Sequence, residues 1–348
     1  FFKQKTAYEI PKRDWSSDVC SSDLAIPGYQ DNQVLLKIER IGVCGTDIQV
    51  FAGRNRYMQF PVVPFHEGIA RVVKVGADVT HVKAGDRVVI RPIISCGTCY
   101  SCRHGHENAC ENFNCLGVQS DGLGAEYFVI DREYVYPILE SCPLDEAVLI
   151  EPFAVGIHAA LRGQVQGKCV LVVGAGTIGN FTAQACQLLG ASEVAVCDLS
   201  DDKIEMAKRA GIQHCVSSAG RSLKDVAYEI YGTFPDVILD CVGAKVILPQ
   251  ILELAGKTTT VVIVGNYSEP VLIDVATIQR NELNVLGNIT YTAEDFQKAV
   301  ELMVSGKVYT EGFISAKFPF DEVQGMMEFA LEKRGVNMKV VLEYNGEG

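Results

Sequence analysis

Residues 169–190 read CVLVVGAGTIGNFTAQACQLLG, and the chain then reaches Asp198 at the end of the run EVAVCD. Aliphatic and β-branched residues from 170 to 173 indicate a buried strand. Three glycines follow, and apolar residues then recur at helical spacing at 181, 185, 188 and 189. The stretch therefore predicts a strand, a tight turn and a helix.

The three glycines have the spacing of a dinucleotide-binding turn. Gly174 would make the turn, Gly176 would let the backbone approach a pyrophosphate, and Gly179 would let the helix lie against the strand. Amide groups at the helix start, including those of Thr177 and Ile178, would then hold the phosphates. Glycine-rich turns also occur for geometric reasons alone, but here the preceding strand, the following helix and the later acid all favour the cofactor interpretation.

Asp198 predicts which dinucleotide is bound. It ends the second apolar run, where a carboxylate can accept hydrogen bonds from both ribose hydroxyls and repel a 2′-phosphate. This favours NAD over NADP. Lys203, in the amphipathic segment that follows, is also predicted to bind the cofactor.

Strand-like and helical runs alternate through the rest of this half. Strands are expected at 214–216, 236–241, 260–264 and 284–286, with helices between them. Such alternation predicts a doubly wound parallel sheet with right-handed crossovers and strand order 3-2-1-4-5-6.

Composition bounds the remaining possibilities. With 348 residues and 48% hydrophobic content, the chain is long enough for two domains. A net charge of -12 without a basic cluster makes nucleic acid and anionic membranes poor partners, and no apolar run approaches the ~20 residues of a membrane span. No export signal marks the start, and the 13 cysteines are mostly clustered or single within apolar runs. We therefore expect a cytoplasmic protein.

Residues 1–24, FFKQKTAYEIPKRDWSSDVCSSDL, show neither helical periodicity nor strand alternation. They resemble a translated sequencing-library adapter, so we exclude them from the fold and function reasoning. The alternative is a genuine disordered tail.

Cys44, His66 and Glu67 are candidate ligands of a catalytic metal. They lie at strand ends and in loops, and their side chains are ligand types that zinc accepts with an open fourth position. Taken singly, Cys44 could be a small buried hydrophobe and His66 a hydrogen-bonded polar residue near the core.

A second candidate metal site is the run ISCGTCYSCRHGHENAC. Four thiolates so close in one loop satisfy tetrahedral zinc and would stabilise a lobe with few apolar residues; they belong to Cys96, Cys99, Cys102 and Cys110. An iron–sulfur cluster and disulfides are the alternatives. The long fourth spacing and the lack of a Cys-Pro pair disfavour a ferredoxin-type cluster.

Together these motifs, with Glu151-Pro-x-Ala-Val-Gly-Ile-His, resemble the zinc-containing medium-chain alcohol dehydrogenases. Within that family they are similar to the polyol branch, which includes sorbitol (L-iditol), threonine and sugar-acid dehydrogenases. The resemblance runs from about Asp31 to the end of the chain. It implies a GroES-like barrel formed by 25–153 and 291–348, and a Rossmann domain formed by 154–290.

The resemblance also assigns roles to individual residues. It implies a catalytic zinc on Cys44, His66 and Glu67, with Glu151 as fourth ligand or as partner of the zinc-bound water. Thr46 would accept the substrate proton. Backbone groups near Val264 and Asn288 would meet the nicotinamide, although these residues could equally be ordinary strand ends.

The activity implied is NAD-linked oxidation of a secondary alcohol in a polyol or sugar-acid substrate, by a homodimer or homotetramer. A zinc-free NADPH enone reductase and a catalytically silent dinucleotide sensor are the alternatives. Two departures from the family pattern bear on the site. Phe65 replaces the usual glycine before the His-Glu pair, which predicts altered packing there, and Gln49 replaces a proton-relay histidine and cannot titrate near neutrality.

Overall fold

A computed structural model describes residues 3–4, 24–53, 62–333 and 338–344. The chain forms two units, one from residues 1–151 and 292–348 and the other from residues 152–291.

The strands, in chain order, are β1 (Lys3–Gln4), β2 (Leu24–Ala25), β3 (Gln33–Val43), β4 (Glu67–Val75), β5 (Arg87–Ile90), β6 (Ile93–Ile94), β7 (Asn114–Cys115), β8 (Tyr127–Asp131), β9 (Val135–Pro137), β10 (Cys169–Val173), β11 (Glu193–Asp198), β12 (His214–Ser217), β13 (Val237–Asp240), β14 (Thr260–Ile263), β15 (Asn284–Gly287), β16 (Ile314–Pro319) and β17 (Lys339–Glu343).

The α-helices are α1 (Gly45–Phe51), α2 (Tyr100–Arg103), α3 (Leu144–Ala147), α4 (Ile150–Gly163), α5 (Thr177–Leu188), α6 (Asp201–Arg209), α7 (Leu223–Tyr231), α8 (Ile247–Leu254), α9 (Val275–Arg280), α10 (Ala293–Val304) and α11 (Val323–Glu332).

The first unit is built on one mainly antiparallel sheet with the strand order β16-β17-β3-β4-β5-β9. The long strand β3 is its centre: one edge pairs with β4, while the other pairs with β8 near the start of β3 and with β17 near its end. The alternating residues that predicted this strand, Val34, Leu36 and Ile38, are at most 1% exposed and lie in the core. The pairing brings the end of β3, the start of β4 and the start of β17 together.

The second unit contains a six-stranded parallel sheet with the order β12-β11-β10-β13-β14-β15. Counted from β10, this is the order 3-2-1-4-5-6, so the predicted doubly wound sheet is confirmed. The order reverses between β10 and β13, and parallel strands place their carboxyl ends at one edge. Ligands of such sheets bind outside that edge, at the point of reversal.

Residues 1–24 lie mostly outside the described part of the chain. The described residues there include Lys3–Gln4, which pair antiparallel with Leu24–Ala25. Among the helices that the structure describes, none combines the length and the apolar character needed to cross a membrane.

Candidate functional site

Strand pairing brings together Cys44, His66 and Glu67. Cys44 follows β3 and caps α1, while Glu67 begins β4 opposite Gly42 of β3. Because the two strands are antiparallel, the end of one lies beside the start of the other. One ligand atom from each of the three residues lies within 4.8 Å of the others.

These donors fit a zinc ion. They supply sulfur, nitrogen and oxygen, the atoms that zinc takes from protein side chains. The Nδ1 atom of His66 is buried without a hydrogen-bond partner, and the nearest Asp47 oxygen is 3.8 Å away. Burial alone would lower the pKa of His66, but the Asp47 carboxylate, followed by smaller effects of Cys115 and Cys44, outweighs burial and raises the pKa well above its usual value. The same electrostatic field would attract a cation.

Asp47 holds the first ligand in place. Its Oδ2 accepts a hydrogen bond of 2.8 Å from the Cys44 amide, and its side chain is 2% exposed. Burial raises the pKa of Asp47 despite the nearby His66. No role for Asp47 was predicted from the sequence, and its contact with Cys44 is seen only in the structure.

Lys339 is a residue of this site that sequence reasoning missed. Its Nζ lies 2.7 Å and 2.6 Å from the two carboxylate oxygens of Glu67, and the side chains are 5% and 1% exposed. Nζ also donates to the Val43 carbonyl at 3.3 Å. Burial would lower the pKa of Lys339, but Glu67 and other negative neighbours raise it overall. The available signal was a lysine that opens the apolar strand KVVLE.

Gly42 makes room for this ion pair. A Cβ atom at Gly42 would collide with the Glu67 carboxylate and would lie 3.3 Å from a Val148 methyl group. The Glu67 oxygens therefore occupy the space above a glycine, with Lys339 donating to both. Each oxygen keeps a second lone pair that could face a metal ion.

Glu151 and Thr46 complete the predicted catalytic set. Glu151 lies in the first turn of α4 and is 7% exposed. Its charge influences the pKa of both Cys115 and Lys339, so it belongs to the same electrostatic environment. Its carboxylate is outside the group of atoms that cluster within 4.8 Å. Thr46 is half-buried in the first turn of α1.

The predicted cysteine lobe also converges. The sulfur atoms of its four cysteines lie within 4.8 Å of one another, and Cys110 Sγ is 3.5 Å from Cys96 Sγ and 3.9 Å from Cys99 Sγ. These separations are far longer than the ~2.05 Å of a disulfide. Cys110 Sγ accepts hydrogen bonds of 3.3 Å from the amides of Cys96 and Asn112. Amide donors from Thr98 and Cys99 lower the pKa of Cys96 to about 5, which favours its thiolate, whereas burial raises the pKa of Cys102 to about 12.

The glycine turn of the second unit leaves space at the start of a helix. Gly174 follows β10 with φ of +98°, and a Cβ at Gly179 would collide with the Gly174 carbonyl. A Cβ at Gly176 would meet nothing within 4 Å. Thr177 and Ile178 begin α5 directly after it. The positive φ therefore explains Gly174 and the close carbonyl explains Gly179. Gly176 faces open space, where a phosphate would lie.

The other predicted cofactor residues lie near the carboxyl ends of the strands. Asp198 ends β11, and its oxygens accept hydrogen bonds of 2.7 Å from the Ala175 amide and 2.9 Å from the Ser200 amide. Val264 and Asn288 directly follow β14 and β15, with backbone hydrogen bonds to the ends of the neighbouring strands. The Oδ1 atom of Asn288 is buried without a hydrogen-bond partner. Lys203 is half-buried in α6.

Comparison with known proteins supports the predicted family and its two domains. The family model for the alcohol dehydrogenase GroES-like domain matches residues 30–140, and the model for zinc-binding dehydrogenases matches residues 177–305. The chain is 30% identical to sorbitol dehydrogenase of Bacillus subtilis (strain 168) over 329 residues, covering 92% of this chain and 93% of the relative. It is 31% identical to L-galactonate-5-dehydrogenase of Escherichia coli K12 over 300 residues, covering 86% and 87%.

A solved structure is also similar. The rspB alcohol dehydrogenase of Escherichia coli CFT073, crystallised with NADH, superposes with a TM-score of 0.88 at 28% identity, covering 98% of this chain and 99% of that one. The predicted combination of a GroES-like domain with a Rossmann sheet is therefore confirmed. From these matches, the chain belongs to the zinc-containing medium-chain alcohol dehydrogenase family and falls among its polyol dehydrogenases.

Proposed function

We propose that this oxidoreductase is a zinc-dependent, NAD-linked dehydrogenase that oxidises a secondary alcohol of a polyol or sugar-acid substrate to the ketone. The observation that carries the proposal is the convergence of Cys44, His66 and Glu67, with the buried His66 Nδ1 left without a hydrogen-bond partner. A catalytically silent sensor would have no need of such a donor set. The zinc-free enone reductase is disfavoured for the same reason.

The catalytic zinc would be held by Cys44, His66 and Glu67. A zinc ion at this site supplies Lewis acidity, which makes a hydroxyl group easier to deprotonate. Glu151 would serve as fourth ligand or as hydrogen-bond partner of a water at the site. Its position outside the closest cluster favours the second role. A second zinc would be structural, with all four ligands from the cysteine lobe.

The chain's own groups would orient the substrate and move its proton. Thr46 lies two residues after Cys44, so its hydroxyl would accept the substrate proton beside the metal ligands. Gln49 cannot carry the proton further because its amide does not titrate, so the last transfer would go through water or another group. Lys339 would keep the Glu67 carboxylate oriented and partly neutralised.

Asp198 supports NAD as the preferred cofactor. Each of its oxygens accepts one backbone hydrogen bond and retains a lone pair for a ribose hydroxyl. The carboxylate would repel the 2′-phosphate of NADP. A bound nicotinamide would supply the hydride acceptor for the two-electron oxidation of the alcohol carbon, and one proton would be released.

We also propose that the protein is a cytoplasmic homodimer or homotetramer. Within the described residues, β15 is the last strand of the parallel sheet and its outer edge is unpaired. An unpaired edge of this kind is a template for a second copy.

A substrate screen tests the proposed function. The purified chain would be assayed with NAD and NADP against a panel of polyols and aldonates, before and after zinc removal and zinc restoration. We expect NADH formation with at least one polyol or aldonate, its loss with a chelator, and its return with zinc. Absence of NADH formation across the panel, or activity that survives complete zinc removal, would contradict the proposal.

A further inference from the structure

We propose that Asp240 and Tyr267 are positioning residues that hold the cofactor-facing backbone of the second unit in shape. This inference rests on the proposed binding of a nicotinamide dinucleotide by that unit. Neither residue belongs to the glycine motif or to the predicted metal sites. Both act through backbone groups rather than through contact with the reacting atoms.

Asp240 lies where the strand order of the parallel sheet reverses. It ends β13 and is paired with Val173, the last residue of β10, directly before the glycine turn. Its side chain is 0% exposed. Ligands of doubly wound sheets bind outside this point, so Asp240 lies directly beneath the expected cofactor site.

The Asp240 carboxylate and carbonyl accept five hydrogen bonds from the segments that follow β13 and β14. Oδ1 accepts from two amides after β13, the carbonyl oxygen accepts from two amides after β14, and the Tyr267 hydroxyl donates to Oδ2. In order, the amide donors and their distances are Val242 (3.0 Å) and Gly243 (3.2 Å) to Oδ1, then Val264 (2.9 Å) and Gly265 (2.8 Å) to the carbonyl. A single residue thus joins two loops.

Those two loops are packed backbone against backbone. Gly243 has φ of +68°, and a Cβ there would lie 2.7 Å from the Gly265 carbonyl carbon and from the Asn266 nitrogen. No side chain fits between the loops, so hydrogen bonds must hold them in register. Since the described residues include no ion-pair partner for Asp240, its burial is offset mainly by these donors.

The same carboxylate also supports the glycine turn. Its Oδ1 accepts from the Val242 amide, and the Val242 Cγ2 atom would lie 2.8 Å from a Cβ at Gly174. The Val242 side chain therefore packs against the turn that precedes α5. Loss of the Asp240 network would shift three backbone segments that face the dinucleotide, and cofactor affinity would fall even where the fold survives.

The test compares three variants with a matched control. Asp240→Ala removes the three hydrogen bonds to the carboxylate and keeps the two to the backbone carbonyl. Asp240→Asn keeps Oδ1 as the acceptor of two amides, and its Nδ2 can donate to the Tyr267 oxygen, so it should rescue most of the effect. Tyr267→Phe removes one hydroxyl without leaving a cavity, and it decides the question if Asp240→Ala does not fold. The control is Tyr231→Phe, because the Tyr231 hydroxyl donates 2.7 Å to the Val170 carbonyl near the amino end of β10.

NADH binding would be measured by fluorescence titration of the zinc-loaded chain, together with the melting temperature of each variant. Hydrogen bonds to charged groups predict an NADH Kd about tenfold higher for Asp240→Ala and about threefold to tenfold higher for Tyr267→Phe. Asp240→Asn should stay within about threefold of the unaltered chain. Tyr231→Phe should lose stability while its NADH Kd is unchanged.

Two results would overturn the inference. One is an unchanged NADH Kd in Tyr267→Phe and in any folded Asp240→Ala protein. The other is an equal loss of affinity in Tyr231→Phe, which would mean that general destabilisation explains the effect. The proposed function fails if the unaltered chain does not bind NADH. The inference alone fails if the unaltered chain binds NADH and the variants bind it equally well.

Discussion

Replacing Lys339 with methionine tests the buried ion pair beneath the candidate metal site. The change keeps the length and apolar stem of the side chain but removes the charge that faces both oxygens of Glu67. With the two side chains 5% and 1% exposed, the orphaned carboxylate cannot be rehydrated without rearrangement. Removing one partner of a buried pair costs about 3–5 kcal/mol.

Calorimetry or fluorescence-monitored melting of the zinc-free protein measures this cost. For a unit of this size, 1 kcal/mol corresponds to about 2–4 °C, so Lys339→Met should lower the melting temperature by roughly 6–20 °C. Zinc should raise the melting temperature of the variant more than that of the unaltered chain. The reason is that an unpaired Glu67 carboxylate gains a cation when the metal binds.

Two further variants make the result decisive. Lys317→Met is the matched control: Lys317 lies on the neighbouring strand β16, 2.7 Å from Asp145 Oδ2, but is 41% exposed and should contribute less than ~1 kcal/mol. The double variant Glu67→Gln with Lys339→Met should recover part of the loss, because it removes both charges. If Lys339→Met destabilises the chain no more than Lys317→Met does, the buried pair of Lys339 and Glu67 does not stabilise this unit.

Three other predictions address separate parts of the account. Thr46→Val should retain both zinc and NADH binding yet lower kcat by about 100-fold to 10,000-fold, as expected for loss of a proton acceptor; an unchanged kcat would exclude Thr46 from the proton path. Cys102→Ala should reduce bound zinc from two ions to one and lower the melting temperature, since a closed four-ligand site contributes folding energy; an unaltered zinc count by mass spectrometry would speak against a metal in the lobe. Asp198→Ala should narrow the ratio of NAD to NADP catalytic efficiency by about tenfold or more, because repulsion of the 2′-phosphate is lost, and steady-state kinetics with an unchanged ratio would rule out its ribose role.

Local motifs could be predicted from the sequence because each depends on residues close together in the chain. The glycine turn and the cysteine lobe each occupy a short segment, and the structure brings their residues together as the spacing predicts. The strand order 3-2-1-4-5-6 followed from alternating runs and a handedness rule.

Side-chain contacts between residues far apart in the chain could not be predicted in this way. Lys339 and Glu67 are 272 residues apart, and their meeting depends on β17 pairing with the end of β3 while β4 pairs with the same residues from the other side. Asp240 and Tyr267 similarly meet only when β13 and β14 align. Hydrophobic periodicity indicates that such strands exist but not which polar side chains their register brings together.

Phe65 illustrates a second limit. The sequence predicted altered packing where the family usually has glycine, but it gave no indication of the backbone conformation. Phe65 adopts φ of +74°, unusual for a bulky residue, and is 1% exposed. A Cβ at Gly117 would lie 2.6 Å from its amide nitrogen, so this neighbour must remain small. The strain at Phe65 is accommodated by the surrounding backbone.

Zinc counting in Cys44→Ala tests the central claim most directly. We expect the unaltered chain to hold two zinc ions, one at each cluster of ligand atoms, and the variant to hold one. Zinc in the cysteine lobe should remain, while NAD reduction with the best polyol or aldonate disappears. A variant that keeps two zinc ions, or that still reduces NAD at the unaltered rate, would contradict the assignment of Cys44, His66 and Glu67 as the catalytic metal site.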